Sequence, residues 1–187
     1  MFTSTKHYII VGNNSFIIRK QGETDQHIIT FDSTIPGVPF YHHLFDKGKP
    51  YIVEAQQRIW ELKVKNVTLL APDDTTDIQA DQLMLKEFFM TSTVKKIDID
   101  FQCFFLNRNE QKYISISKTT RTLVFQYIVN HNSIVKKYFD RNYNDIDQIK
   151  SAIKSLHPDC EYNRIPIYVN NVNDEMNRFK EIGNLVS

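Results

Sequence analysis

Glycine is scarce in this 187-residue chain, with five in all. Tight phosphate-cradling loops need glycine for close backbone approach. No Gly-x-Gly-x-x-Gly, P-loop or Gly-x-Ser-x-Gly pattern occurs. Cysteine is scarcer still. Cys103 and Cys160 are the two present, far apart in sequence, and give neither a disulfide framework nor a zinc-ligand spacing. Charge of either sign is not in excess: 23 Lys and Arg against 22 Asp and Glu, net +1. That balance argues against a protein living on DNA or RNA, whose affinity rests on phosphate neutralisation. No apolar run approaches the ~18 residues of a transmembrane helix. The first ten residues, MFTSTKHYII, lack the basic start and apolar core of a leader. The expectation is a soluble protein of a reducing, cytoplasmic compartment, in which the sequons at Asn13 and Asn66 carry no meaning.

What the chain does have is apolar bulk: 41% hydrophobic and 12% aromatic residues, enough for a sizeable core. Asn, Ile, Lys, Asp and Phe are frequent, the bias of AT-rich coding sequence. Strand patterns dominate. Residues 7–11, 15–20 and 26–31 read as an antiparallel meander, turning first at Gly12-Asn13-Asn14. A second meander is expected over 95–129. Ile97, Ile99, Phe101, Cys103 and Phe105 alternate with Asp98, Asp100 and Gln102, and runs at 112–117 and 121–129 follow. Residues 51–54 read as a strand leading into a short helix or second strand, and 67–71 as a buried strand that stops at Pro72.

Helices are expected at 77–90, burying Ile78, Leu83, Leu85, Phe88 and Phe89, and at 133–139. Another is expected at 144–156, capped by Asn144, with Ile146, Ile149, Ile153 and Leu156 on one face. An edge strand at 165–169 containing Pro166 should precede a last helix, capped by Asn171 or Asn173 and carrying Met176, Phe179 and Ile182. No internal repeat is visible. The reading is an α+β domain: a mostly antiparallel sheet made of two meanders, packed against helices, with a helical C-terminal end. Residues 1–187 form one domain, with a sub-division into a sheet-rich part, 1–130, and a helix-rich part, 131–187. Strands in runs, rather than alternating with helices, argue against a doubly wound sheet.

Residues 32–50 are irregular, with three prolines and two glycines, yet carry Val38, Phe40, Tyr41, Leu44 and Phe45. Such a loop either packs back on the sheet or presents a binding surface. Phe40, Tyr41, His42, His43 and Phe45 are the candidate interaction residues.

Chemistry has two further candidates. His42 and His43, with Asp46 or His27 nearby in the fold, could ligate a metal, although adjacent residues diverge on an extended backbone. Asp98 and Asp100 share a strand face, and with Asp73, Asp74 and Asp77 could form an acid/base or cation site; the plainer reading is the wet face of a strand. Ser115, Ser117 and Cys160 lack the context of an activated nucleophile. Phe104, Tyr113, Phe125 and Tyr127 could stack RNA bases, but core packing explains them better. No cofactor and no metal is expected.

Residues 8–18 (YIIVGNNSFII), and residues 67–72 (VTLLAP) with the helix ending LMLKEFF, resemble the first lobe of bacterial actin-like, rod-shape filament proteins. The resemblance covers residues 7–89. It implies an actin-like lobe. The acid of that family's first phosphate hairpin falls at Ile10, which can hold neither metal nor water, and the chain is expected to stop short of a second lobe. The resemblance therefore implies a half-actin without ATPase function.

Together these features point to a non-enzymatic structural, assembly or interaction component with protein partners, a homo-oligomer among them, and no membrane or nucleic-acid role. A virus or phage particle is one expected setting. The alternatives are a small ligand- or metal-dependent enzyme with a His/Asp site, and the nucleotide-free actin-like lobe.

Overall fold

The computed structural model describes residues 6–32, 35–46, 49–75, 78–107, 109–143, 145–170 and 172. The chain divides into two compact units, Met1–Phe101 and Gln102–Ser187. The class is α+β, as expected, but both sheets are mixed rather than purely antiparallel.

In the first unit the order along the chain is β1 (Lys6–Val11), β2 (Ser15–Lys20), β3 (Gln26–Thr30), α1 (Pro50–Glu61), β4 (Asn66–Ala71), α2 (Gln79–Met90) and β5 (Lys96–Phe101). The sheet order is β3-β2-β1-β4-β5. The first three strands are the expected meander, and β4 and β5 run parallel to β1. A parallel neighbour needs a crossover, and α1 and α2 supply it. β4 is buried along Val67–Ala71, as a central parallel strand should be. The core gathers Ile9, Val11, Phe16 and Ile18 from the meander, Ala55 and Ile59 from α1, and Leu85, Phe88 and Phe89 from α2. At its centre the Phe16 ring meets Phe31, Phe40, Phe88 and Phe89 at centroid distances of 4.8–5.7 Å.

Residues 51–54, expected as a strand, are the first turn of α1. Pro50 sits where a helix tolerates a missing N–H, and Ile52, Ala55 and Ile59 bury one stripe. The helix ends with Lys63 left-handed (φ 53°) and the Val64 amide donating to the Ile59 carbonyl. That is a Schellman-type stop made without the usual glycine. In α2 the side chains of Leu85, Phe88 and Phe89 are buried as expected, while Leu83 is exposed.

The second unit begins with a 3₁₀ turn at Gln102–Phe105, then β6 (Lys112–Lys118), β7 (Thr122–Val129), β8 (Asn132–Asp140), α3 (Ile146–Lys154), α4 (Pro158–Tyr162) and β9 (Ile167–Asn170). The sheet order is β8-β7-β6-β9, antiparallel through β6–β7–β8, with β9 parallel to β6. Ile114, Ile116, Leu123, Phe125 and Tyr127 pack against Ile149, Ile153, Leu156 and Cys160 from the helices.

Two expectations change here. Residues 95–129 are not one meander. β5 ends at Phe101 in the first sheet, and the chain turns through Gln102 and Cys103, whose carbonyl accepts from the Tyr113 hydroxyl at 2.8 Å. Residues 133–139 are not a helix but most of β8. Asn130 and His131 both take positive φ (49° and 61°), the two-residue turn that joins antiparallel strands, and Ile134, Val135, Tyr138 and Phe139 prefer a strand once it is set. Over the described residues, 131–187 contribute two strands as well as α3 and α4. Asn144 lies outside the described residues; Asp145 caps α3, accepting from the amides of Asp147 and Gln148 at 3.1 and 3.0 Å. The strand expected at 165–169 is β9, a sheet edge that starts just after Pro166. The final expected helix, with Met176, Phe179 and Ile182, lies outside the described residues.

A relation invisible in the sequence emerges. Each unit opens with three antiparallel strands, and its fourth strand lies parallel to the first, so both sheets read third-second-first-fourth. The repeat is one of topology, not of residues.

Candidate functional site

The loop between β3 and α1 packs back. Pro36 and Gly37 (φ 76°) occupy the centre of a turn closed by Val38 N–H to Ile35 O, and glycine is required there by the positive φ. A 3₁₀ turn at Phe40–His43 follows. Phe40 stacks on Phe31 at 4.7 Å, and Phe40 and Tyr41 are core residues, not contact residues. They cannot present themselves to a partner, because the aromatic core of this unit is built partly from them. The surface share falls to His42, His43 and Phe45, of which Phe45 is 46% exposed.

His42 Nε2 lies 2.7 Å from Asp81 Oδ1, and the Tyr41 hydroxyl donates to Asp81 Oδ2 at 3.3 Å. Asp81 is only 1% exposed and stands in the first turn of α2, where the helix dipole favours a carboxylate. Two loop side chains thus hold one buried acid and tie the loop to α2. His43 turns away and pairs with Asp46 at 3.0 Å. The two histidines therefore engage different acids, as adjacent residues do when their side chains diverge.

Asp98 and Asp100 share a face of β5 but do not act together. Asp98 pairs with Lys96 at 3.3 Å on the surface, and Asp100 Oδ1 accepts from the Phe101 amide at 2.8 Å. Among the described residues no group of three or more His, Cys, Asp and Glu side chains is gathered as a metal would require. Of the aromatics weighed for base stacking, Tyr113, Phe125 and Tyr127 are buried.

The repeat makes two hairpin turns equivalent: β1–β2 in the first unit and β6–β7 in the second. Both close identically, Gly12 N–H to Ser15 O at 2.8 Å and Thr119 N–H to Thr122 O at 2.9 Å. In the second turn the Thr119 hydroxyl oxygen also accepts from the amides of Arg121 (3.2 Å) and Thr122 (3.1 Å). Amides of this kind bind anions when they point outward as a nest; here the turn's own threonine takes them. Ile10, near the end of β1, is flanked by Ile17 on β2 and Leu70 on β4. The position is apolar on both sides.

One cluster in the second unit has no precedent in the sequence reading. Asp159, at the start of α4, accepts from the Tyr127 hydroxyl at 2.7 Å and from Lys112 Nζ at 3.0 Å, and His157 stacks on the Tyr127 ring at 4.8 Å. The Tyr127 bond, then the Lys112 bond, hold the Asp159 carboxyl below its ordinary range. Burial, helped by Asp159, pushes the Tyr127 phenol up. Burial likewise raises the Cys160 thiol. The residues are dispersed over positions 112–159, so spacing alone offers no signal for them. The cluster pins α4 to β6 and β7.

No protein-family model matches the sequence, and a comparison with curated proteins gives no match. Solved structures do match. The chain is similar to AlfA from B. subtilis plasmid pLS32, in a filament structure, with TM-score 0.56 and 12% identity, over 96% of this chain and 89% of that one. It is similar to MreB5 of Spiroplasma citri bound to ADP, with TM-score 0.52 and 11% identity, over 81% of this chain and 56% of that one. It is also similar to the ethanolamine utilization protein EutJ from Carboxydothermus hydrogenoformans, with TM-score 0.51 and 8% identity, over 100% of this chain and 67% of that one. The chain thus spans little more than half the length of the MreB5 structure. At such identities the likeness is one of fold, and the fold is actin-like. It extends well past residues 7–89, into the second unit. None of these three structures is a virion component, and the particle setting gains no support from them.

Proposed function

We propose that this chain is an actin-like assembly protein that associates with copies of itself, without a nucleotide-hydrolysing role for its first hairpin. The observation that carries the reading is the doubled strand order, third-second-first-fourth in each unit, together with a likeness to a filament protein that extends over nearly all of both chains. Fold alone does not give function, so the hairpin turns bear on the second half of the proposal. An isoleucine between Ile17 and Leu70 supplies no carboxylate to position a metal or water. The amides of Arg121 and Thr122 are directed to the Thr119 hydroxyl. Among the described residues no helix is long and apolar enough to cross a membrane, and both cysteines are buried and form no disulfide, in keeping with work in the reducing cytoplasm.

The test is a sedimentation (pelleting) assay with negative-stain microscopy, over a concentration series of the untagged chain, alone and with ADP, ATP or AMPPNP. The expected result is concentration-dependent assembly that nucleotide leaves unchanged, with no phosphate released from ATP. A strict monomer in every condition overturns the proposal; assembly that requires nucleotide overturns its second half.

A further inference from the structure

The anchor of Tyr127, Asp159 and Lys112 has a fourth member with a chemistry of its own. α4 is capped by His157, which stands in extended backbone (φ −153°, ψ 151°) just before Pro158. Its Nδ1 accepts from the Asp159 amide at 3.1 Å. A backbone amide only donates, so Nδ1 carries no proton here and the neutral ring holds its proton on Nε2. Helices are usually capped by an oxygen of Ser, Thr, Asp or Asn. The hydroxyls and the amide of that set keep one charge state near neutrality, whereas imidazole does not. The cap of α4 is one that a proton removes.

The ring is held on a second side. It stacks on Tyr127 with centroids 4.8 Å apart and planes at 28°. The Tyr127 hydroxyl in turn donates to Asp159 Oδ2 at 2.7 Å, and Lys112 Nζ reaches the same oxygen at 3.0 Å. Tyr127 is buried, but His157 and Asp159 are half-buried, so solvent protons reach the imidazole. The titratable and charged groups on the elements packed at this end are Asp159, Cys160 and Glu161 on α4, Lys154 at the end of α3, Tyr127 on β7 and Lys112 on β6. From β8 comes Lys137, bonded to the Ser155 carbonyl at 2.9 Å. The Tyr127 and Lys112 hydrogen bonds hold the Asp159 carboxyl down, and a charge on His157 adds to them.

Neutral and charged imidazole therefore ask for different partners. The neutral ring takes the Asp159 amide. The charged ring has two donors and no acceptor, so it must give up that amide, and the Asp159 carboxylate offers it an acceptor of opposite charge. That carboxylate is already shared by Tyr127 and Lys112, so the anchor re-pairs when the ring turns to it. We propose that His157 is a proton-operated latch on α4: its protonation releases the first turn of the helix and loosens the seal over Cys160. Cys160 is 7% exposed and its amide donates to the His157 carbonyl at 2.8 Å, so it follows the cap directly. The latch does not depend on the self-assembly reading.

The test is NMR with amide hydrogen exchange on the full chain, from about pH 8 to about pH 5, the span over which imidazole changes charge. At the neutral end His157 should show the Nε2–H tautomer and the Asp159 amide should be protected. On acidification the Asp159 protection factor should fall about fivefold or more, the scale of a lost cap, in step with the His157 titration. Cys160 should then react faster with a pyridyl disulfide relative to Cys103, the other buried thiol. His157→Asn, whose capping oxygen does not titrate, should keep the Asp159 amide protected throughout; His157→Ala should leave it unprotected throughout. Urea midpoints confirm that both variants fold. An Nδ1–H tautomer at neutral pH overturns the latch. So does Asp159 protection that stays constant while His157 titrates, or an acid loss of protection that persists in folded His157→Asn.

Discussion

The two units of this chain share a strand order and almost nothing else. The first is held by aromatic rings: Phe16 on β2 meets four other phenylalanines. The residue in the same place on β7, one past the turn-closing Thr122, is Leu123, and its unit packs isoleucines and a leucine from α3 and its end against the sheet. The polar anchors also differ: Tyr127–Asp159–Lys112 ties α4 to the sheet in the second unit, where Tyr41–Asp81–His42 ties a loop to α2 in the first. Topology is therefore set by the hairpins and the crossovers, and the core is free to use whatever side chains fill it.

The largest effect should come from breaking the aromatic centre. Phe16→Ala should cost about 3–5 kcal/mol and Leu123→Ala about 2–5 kcal/mol, with Phe16 the greater, as read by urea denaturation. If the order is reversed, the aromatic cluster is not the stronger core.

Acid should separate the units next. His7, buried in β1, has its pKa lowered, chiefly by burial and then by Lys20. The unfolded chain therefore takes up the proton first. The stability due to neutral His7 is present above pH ~6.5 and is lost as pH falls through the lower folded value. His7→Leu should flatten the pH dependence of the urea midpoint in that window. Asp159 is lowered as well, so its contribution is complete above the ordinary carboxylate range and is lost at more acid pH. Tyr127→Phe should reduce stability near neutrality and shrink that second, acid loss, leaving the His7 window untouched. A Tyr127→Phe variant with an unaltered acid profile would show that Asp159 is held by Lys112 alone.

The smallest effect expected is a gain. Lys63 occupies a left-handed position that glycine takes without strain. Lys63→Gly should stabilise the first unit by up to about 1 kcal/mol, seen as a small rise in thermal midpoint.

Local pattern carried much of the first unit's meander and α3 into view. Residues 7–20 alternate, and Ile149, Ile153 and Leu156 keep helical spacing, so burial on one face was readable. What escaped depended on contacts far along the chain. Nothing near residues 96–106 says that the strand must stop at Phe101, because the Gln102 side chain accepts a hydrogen bond from Asn170, far along the chain. The helical reading of 133–139 overlooked Asn130-His131, whose tolerance of positive φ makes a hairpin. The interaction loop was legible as a loop, but that Phe40 and Tyr41 point inward is set by Phe31 and by Asp81, some 40 residues on. The actin-like hairpin was legible at YIIVGNNSFII; its twin at residues 112–129 was not, since the second turn is built from threonines and contains no glycine.

The claim of self-association is tested most directly by sedimentation velocity of the untagged chain over a wide dilution series, with and without ADP. Self-association predicts species larger than one chain that grow with concentration and are indifferent to the nucleotide. A single monomer boundary at every concentration, with and without ADP, would contradict it.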